Sequence, residues 1–232
     1  MYEQQFDQEG RIDGLNNAII TYKTGRESLS RLVSERTFYH YQLGRLYERR
    51  FDWGNQIRDL DEAITNYEAG RTRFRYFRWL TVDPLIKLAS LYERRFVRED
   101  RISDLDSAIT TLKAGMRNLS VSDSQRLGYL SKLACLHEQR FDWDGRSLHI
   151  HHAIENHEAA LKLLSDDDPN RPSHLSELVR MRSRLKQVAK ELLLEDLQQL
   201  STYIRKPNSS IGFLGLMEGV IKILEENDAD KL

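Results

Sequence analysis

A phrase that returns every 45 residues constrains the fold of this chain more than any other feature. LYERRF at 46–51 recurs at 91–96 and, as LHEQRF, at 136–141. A fixed period between about 20 and 50 residues is typical of a solenoid, in which each repeat buries its apolar face against its neighbours. The four series that share this step are Phe6, Phe51, Phe96 and Phe141; Leu15, Leu60, Leu105 and Ile150; Ala18, Ala63, Ala108 and Ala153; and Gly25, Gly70, Gly115 and Ala160.

Each repeat is predicted to contain two amphipathic helices. Apolar residues at steps of three and four share one face of a helix. Between the two helices lies DWGNQ, whose Gly54 and Asn55 favour a turn. No stretch alternates with period two over a comparable length, so strands are not expected. The two faces in the second repeat are Leu43, Leu46, Tyr47 and Phe51, and then Leu60, Ile64, Tyr67 and Gly70.

Small residues recur on the first helix of each repeat, at Gly44, Ala89 and Ala134. A missing or short side chain lets two packed helices approach each other closely. The sequence therefore predicts close contact between the paired helices at these positions. Larger side chains there are expected to overpack the interface, which typically costs about 1–3 kcal/mol.

Composition limits the classes of protein that the chain can be. With 232 residues, 40% of them hydrophobic, it can bury a substantial core. Its 35 basic and 36 acidic side chains nearly cancel, which argues against nucleic-acid and membrane-surface partners. Cys135 has no second cysteine to pair with, the N-terminus lacks the pattern of a signal peptide, and the apolar segment 211–224 is shorter than the roughly 20 residues that a bilayer requires. We expect an intracellular, cytoplasmic protein.

The residue order within a repeat resembles the tetratricopeptide repeat (TPR), whose signature is leucine, glycine and tyrosine on a first helix and alanine, an aromatic and a small residue on a second. The period is longer than the standard of about 34 residues. Such long repeats, with a phrase similar to RFxxxxxxxDLDEAI, resemble arrays in fungal proteins that also carry a caspase-like CHAT domain. No CHAT-type catalytic pair maps onto this chain. The matching residues of the second repeat are Leu43, Gly44 and Tyr47, then Ala63, Tyr67 and Gly70.

The resemblance covers about residues 1–165 and implies an all-α fold. This fold is a right-handed superhelix of antiparallel helix pairs, a TPR-like solenoid, closed by C-terminal helices. We expect a repeat array over 1–165, made of a partial first repeat and three repeats of about 45 residues, followed by capping helices over 166–232. Within the capping region we expect a long helix from about 173 to 205, a turn at KPNSS and a last helix from about 211 to 226.

The histidine cluster HIHHAIENH at 149–157 is the most tempting candidate for a metal site. His149 and His152 are three residues apart on a predicted helix and could share a metal ion. The repeat, however, aligns His157 with the core position of Tyr67, and His149 with Asp104, a residue of solvent-exposed type. With no third ligand in register, we predict no metal site. A packing or groove role is also favoured over a catalytic thiol for Cys135.

Two further patterns have a structural and a functional interpretation. The RR pairs at 49–50 and 94–95 follow Glu48 and Glu93, and solvent-exposed helix faces with local ion pairs are favoured over a binding groove. RTRFRYFRW at 71–79 interleaves arginine with aromatic residues, as single-stranded nucleic-acid sites do, but amphipathic packing is favoured. Trp53 and Trp143 either cap the edge of the stack or serve as exposed contact points.

No catalytic or cofactor motif is present: the chain lacks a phosphate loop, HExxH, GxSxG and GxGxxG. We therefore predict a non-catalytic scaffold without a cofactor, whose partner is a protein or peptide. The resemblance implies binding through the concave face of the first helices. In register, that face holds Tyr41, Arg45, Glu48 and Arg49; Ile86, Ser90, Glu93 and Arg94; and Ser131, Cys135, Glu138 and Gln139. The lysines and asparagines of the family's chaperone-tail clamp are missing from these positions, so that ligand is not expected.

Two alternatives remain open at this point. The chain could be a regulatory or sensor segment of a larger effector enzyme such as a CHAT-type protease. The truncated first repeat and the two apolar faces of the last helix favour contacts through the unpaired N-terminal face or the C-terminal helix. A helical frame for an enzymatic site without a recognisable motif is the third possibility.

Overall fold

A computed structural model describes residues 11–28, 33–71, 83–117, 119, 125–204 and 219–222. Within these residues the chain forms helices and no strand, as predicted, and the helices pack in adjacent pairs. Within the described residues, every helix is too short or too polar to span a lipid bilayer. The main helices are α1 (Ile12–Ser28), α2 (Val33–Gly54), α3 (Ile57–Gly70), α4 (Pro84–Glu99), α5 (Ile102–Met116), α6 (Arg126–Asp144), α7 (Ser147–Leu161) and α8 (Arg171–Ile204).

The chain divides into two compact units, Met1–Asp144 and Gly145–Leu232. In the first unit, consecutive helices pack against each other from α1 through to the pair α5 and α6, and α4 also contacts α6. In the second unit α7 packs against α8. The boundary at residue 165 was predicted from the end of the repeated sequence pattern, whereas the two units are defined by their internal packing. The predicted end of the array therefore stays a prediction. The described residues do not include residues 1–10 of the partial first repeat, residues 72–79 of RTRFRYFRW, the KPNSS turn or most of the last predicted helix.

The 45-residue register is reproduced in the core of the first unit. Equivalent positions in successive repeats are buried alike, which is the outcome that the helical spacing predicts. The phenylalanine series is less uniform, because Phe51 and Phe141 are buried but Phe96 is only partly so. The buried equivalents are Leu43, Leu88 and Leu133; Leu46, Leu91 and Leu136; Leu15, Leu60 and Leu105; and Ala18, Ala63 and Ala108.

Close approach of the paired helices occurs where the small residues predicted it. A Cβ atom on Gly44 would lie 2.8 Å from two ring carbons of Tyr67, which is fully buried on the neighbouring α3. Ala89 and Ala134, at the same position in the next two repeats, are also fully buried. The glycine series on the second helix behaves similarly, since a Cβ on Gly115 would lie 2.5 Å from the ring of Tyr129.

The repeat also determines where the first helices end. Asn55, Asp100 and Gly145 are 45 residues apart, and all three have the left-handed backbone conformation, with φ of 54°, 53° and 67°. The amide nitrogens of Asn55 and Asp100 each donate a 2.7 Å hydrogen bond to the carbonyl oxygen of the repeated phenylalanine four residues earlier. Asparagine, aspartate and glycine are the residues that adopt this conformation most readily. The predicted turn after Gly54 is confirmed.

Candidate functional site

The second arginine of each LYERRF phrase joins three helices of the first unit. Arg50 on α2 donates from Nε to both carboxylate oxygens of Asp59 on α3, at 3.0 Å each, and from Nη1 to Asn16 on α1 at 2.8 Å. Arg95 on α4 repeats the pattern, with Asp104 on α5 at 2.7 and 2.8 Å and Asp61 on α3 at 2.8 Å. We call these two groups the arginine clamps.

A third arginine follows the same series with one change. Arg140 on α6 bonds Asp106 on α5 at 3.0 Å, as Arg95 bonds Asp61. Its second carboxylate is Asp144, four residues later on the same helix, at 2.7 Å. His149 stands in the sequence at the position that Asp59 and Asp104 hold in the earlier repeats.

The arginine clamps correct two of the expectations above. Solvent-exposed faces with local ion pairing are wrong for Arg50 and Arg95, which are partly buried and bind residues on other helices. Asp104 is not a solvent-exposed residue either, because only 3% of its surface is accessible. Its hydrogen bond with Arg95 raises the pKa of that arginine further above its usual range.

A second set of ion pairs links the first helices of successive repeats. Lys87 on α4 donates to both carboxylate oxygens of Glu48 on α2, at 3.0 and 3.2 Å. One repeat later, Lys132 on α6 pairs with Glu93 on α4, and Gln139 also donates to Glu93 at 2.6 Å. These contacts align α2, α4 and α6 into one continuous surface, which we call the first-helix surface.

The predicted groove residues occupy this surface unequally. Glu48 and Arg94 approach each other to 4.0 Å, and Arg94 also pairs with Asp52 at the end of α2. Tyr41 and Ile86 pack against the core instead, and the Tyr41 ring lies edge-on to that of Tyr67. Ser131 donates to the backbone carbonyl of Leu127. Arg45, Arg49, Ser90 and Glu138 are partly buried, whereas Cys135 is exposed.

A cleft of about 410 Å³ opens at the C-terminal ends of α2 and α4. Three of the predicted groove residues line it, namely Glu93, Arg94 and Gln139. The volume lies within the range of small ligand sites, about 300–1,000 Å³. We call it the α2–α4 cleft; its other lining residues are Phe51, Asp52, Asn55, Val97 and Arg98.

Sequence reasoning missed several residues of this surface. Lys87 and Lys132 are one repeat apart, and each follows its glutamate by 39 residues. The same repeat step relates Asp59 to Asp104. The charged positions recur with the same 45-residue step as the apolar ones, and this recurrence is the signal that identifies the lysine series and the aspartate series. Arg98 gives no such signal, because the equivalent positions hold Trp53 and Trp143.

The two tryptophans occupy the last turns of α2 and α6 and are exposed. Trp53 is 57% accessible and Trp143 is 49% accessible. The guanidinium carbon of Arg140 lies 5.2 Å from the centre of the Trp143 indole. An aromatic side chain with so much accessible surface is available to a partner, and such residues are enriched in protein interfaces.

The histidine cluster belongs to the second unit. Within the described residues no group of three histidine, cysteine or acidic side chains is placed to hold a metal ion. His152 contacts Glu155 at 3.0 Å, and His151 is exposed. His157 is buried, as its alignment with Tyr67 predicted. Its Nδ1 atom lies 3.0 Å from Nδ1 of His174 on α8, so one ring donates a hydrogen bond and the other accepts it.

This pair makes the stability of the second unit dependent on pH. Burial lowers the pKa of His174 below its ordinary value, against an opposing effect of Asp168. Below about pH 6.5 the unfolded chain therefore binds a proton that the folded chain resists, and stability is lost as the pH falls towards the folded pKa. We expect urea unfolding followed by circular dichroism to show this loss, and His174→Gln to reduce it. His151→Gln, at an exposed position, serves as the control; equal pH slopes in all three proteins would contradict the assignment.

Comparison of the whole chain with protein-family models, with curated proteins and with solved structures gives no match in any of the three.

Proposed function

We propose that this chain is a non-catalytic scaffold that binds a protein or peptide through its first-helix surface, and that its helix pairs form a TPR-like solenoid. The observation that carries the proposal is the α2–α4 cleft, lined by residues of three successive first helices. A surface assembled from equivalent positions of several repeats suits an extended partner better than a small substrate.

The ion pairs of the first-helix surface support a binding role. Glu48 and Glu93 each hold a lysine from the next repeat, and Arg94 is held by Asp52. Side chains that are already ordered lose less conformational entropy when a partner binds. The same contacts resist relative movement of α2, α4 and α6, so the surface is preorganised.

Exposed apolar groups beside the cleft supply the second requirement of an interface. Val97, at 72% accessible, lines the cleft, and Trp53 lies within the last turn of α2. Interfaces commonly combine buried aromatic anchors with a polar rim. The cleft itself offers an apolar side chain, Val97, among charged groups.

Site-specific photo-crosslinking tests this proposal. A photoreactive amino acid placed at Val97 is expected to capture a discrete partner in cells, because this side chain projects from the cleft wall. The matched control is the same amino acid at Thr110, an exposed position on the second helix α5. Crosslinked species would be identified by mass spectrometry.

The charge-reversal variant Arg49→Glu with Arg94→Glu gives the second arm of the experiment. It is expected to reduce the crosslinked species at Val97 while the far-ultraviolet spectrum stays helical. Identical products from Val97 and Thr110, or an unchanged yield in the double variant, would remove the first-helix surface as the binding site.

A further inference from the structure

The lining of the α2–α4 cleft contains two carboxylates and two arginines, and ion pairs among the described residues hold all of these charged groups but one. Asp52 is paired with Arg94, and Glu93 is paired with Lys132 of the next repeat. Arg98 is the remaining charged residue of the lining, and within the described chain it has no carboxylate partner. Because Lys132 from outside the lining neutralises Glu93, the positive charge of Arg98 is not held in an ion pair in this part of the chain.

The contacts of Arg98 hold it in place without neutralising it. The Nη2 atom of Arg98 donates a hydrogen bond to the side-chain oxygen of Asn55, which is a neutral acceptor. Its guanidinium carbon lies 5.8 Å from the centre of the Phe51 ring, and that of Arg94 lies 4.6 Å from the same ring. Cation–π contact uses the face of a guanidinium and leaves its N–H edges for other acceptors.

The position of Asn55 explains why its side chain can serve as this acceptor. The left-handed backbone at Asn55 ends α2, and its amide is already bonded to Phe51. The side chain of Asn55 is therefore not used to cap the helix, and it contacts Arg98 in the next repeat. Arginine holds its N–H donors in a rigid planar group, so it is the side chain best suited to bind a planar anion such as a carboxylate.

Apolar surface lies next to the guanidinium group of Arg98. Val97 precedes Arg98 on α4 and is 72% accessible, whereas the Phe51 ring is 4% accessible beneath the two guanidinium groups. A ligand that places an acid next to an aliphatic or aromatic side chain would satisfy both features. The near-neutral balance of 35 basic and 36 acidic residues provides no field for a polyphosphate, so a peptide carboxylate is favoured over a nucleic-acid backbone.

We propose that the α2–α4 cleft binds an acidic peptide segment, with a glutamate or aspartate carboxylate on Arg98 and a neighbouring apolar side chain against Val97. This inference rests on the proposed scaffold function and specifies the chemistry of its partner. The bond to Arg98 is charge-assisted, so binding should weaken as salt screens the pair.

A phage-displayed library of random peptides, selected on the full-length chain, provides the probe. Selected peptides are expected to carry a required Glu or Asp beside an apolar residue, and the corresponding Gln or Asn peptides to bind about ten-fold more weakly, as loss of one charge-assisted hydrogen bond implies. Arg98→Gln should weaken the acidic peptides by a similar factor and remove their preference for acid over amide. Arg101→Gln is the control, because Arg101 pairs with Glu99 and does not line the cleft.

A further variant separates failure of this inference from failure of the proposed function. Val97→Trp fills the cleft without changing its charge and should abolish binding. Peptides that lose binding in Val97→Trp but not in Arg98→Gln would overturn the acidic ligand and leave the scaffold function standing. Absence of any peptide that depends on the cleft would overturn both, and Arg98-dependent binding of an oligonucleotide in place of peptides would overturn the acidic-peptide assignment.

Discussion

Replacing Arg95 with methionine is expected to lower the free energy of unfolding by about 3–5 kcal/mol, the usual cost of removing one partner of a buried ion pair. The side chain of Asp104 is 4% accessible and would be left as an unpaired buried charge. Asp61 would lose its contact with α4 as well. Because the clamp joins α3, α4 and α5, we expect the loss to appear as a lower midpoint of cooperative urea unfolding.

A matched substitution distinguishes the clamp from an ordinary surface ion pair. Arg101 also pairs with a carboxylate, that of Glu99, but its side chain is 51% accessible. Arg101→Met should therefore cost no more than about 1 kcal/mol. Adding Asp104→Leu to Arg95→Met should restore part of the loss, since the uncompensated charge is removed. A loss in Arg95→Met no greater than in Arg101→Met would show that the buried pair does not stabilise the fold.

Replacing Gly44 with leucine is expected to destabilise the first unit by about 1–3 kcal/mol, towards the upper end of the range for overpacked cores. A Cβ alone would lie 2.8 Å from Cδ2 and Cε2 of Tyr67, and the ring is fully buried between neighbouring helices. Movement of the ring would separate α2 from α3. Thermal unfolding measured by circular dichroism would report the change.

Gly54→Leu is the control for this substitution, because both glycines lie on α2. Around Gly54 the nearest side-chain atom to an added Cβ is Cγ of Gln56 at 3.9 Å, which is ordinary contact. Leucine has a better helix propensity than glycine by up to about 1 kcal/mol, so Gly54→Leu should be neutral or stabilising. Equal effects of the two substitutions would contradict the close approach at Gly44.

Much of the fold could be predicted because it depends on local spacing. Leu43 and Leu46 are both buried, since a step of three residues places them on the same face of α2, and Leu88 repeats the position of Leu43 on α4. The end of α2 could be predicted for the same reason, because Gly54 and Asn55 favour a turn, and Asn55 adopts the left-handed conformation there. Both are properties of short segments, and the 45-residue repeat supplies several copies of each.

The candidate site was predicted less completely. Glu93 and Arg94 do line the cleft, whereas Arg98 was not predicted and Tyr41 is partly buried against the core. The resemblance to the tetratricopeptide repeat indicates only which positions face inward in an average repeat. Accessibility at one position, however, depends on the size of the residues opposite, as the ring of Tyr67 against Tyr41 illustrates.

The sequence by itself determined the period, the two helices of each repeat and the apolar positions that they bury. Only the tertiary structure decided the roles of the charges. Arg94 and Arg95 are adjacent in the chain, yet one lies on the cleft and the other enters a buried clamp. Their partners Asp52 and Asp61 are 42 and 34 residues away. Neighbouring residues on a helix point in directions about 100° apart, and only packing of distant segments brings a carboxylate to each.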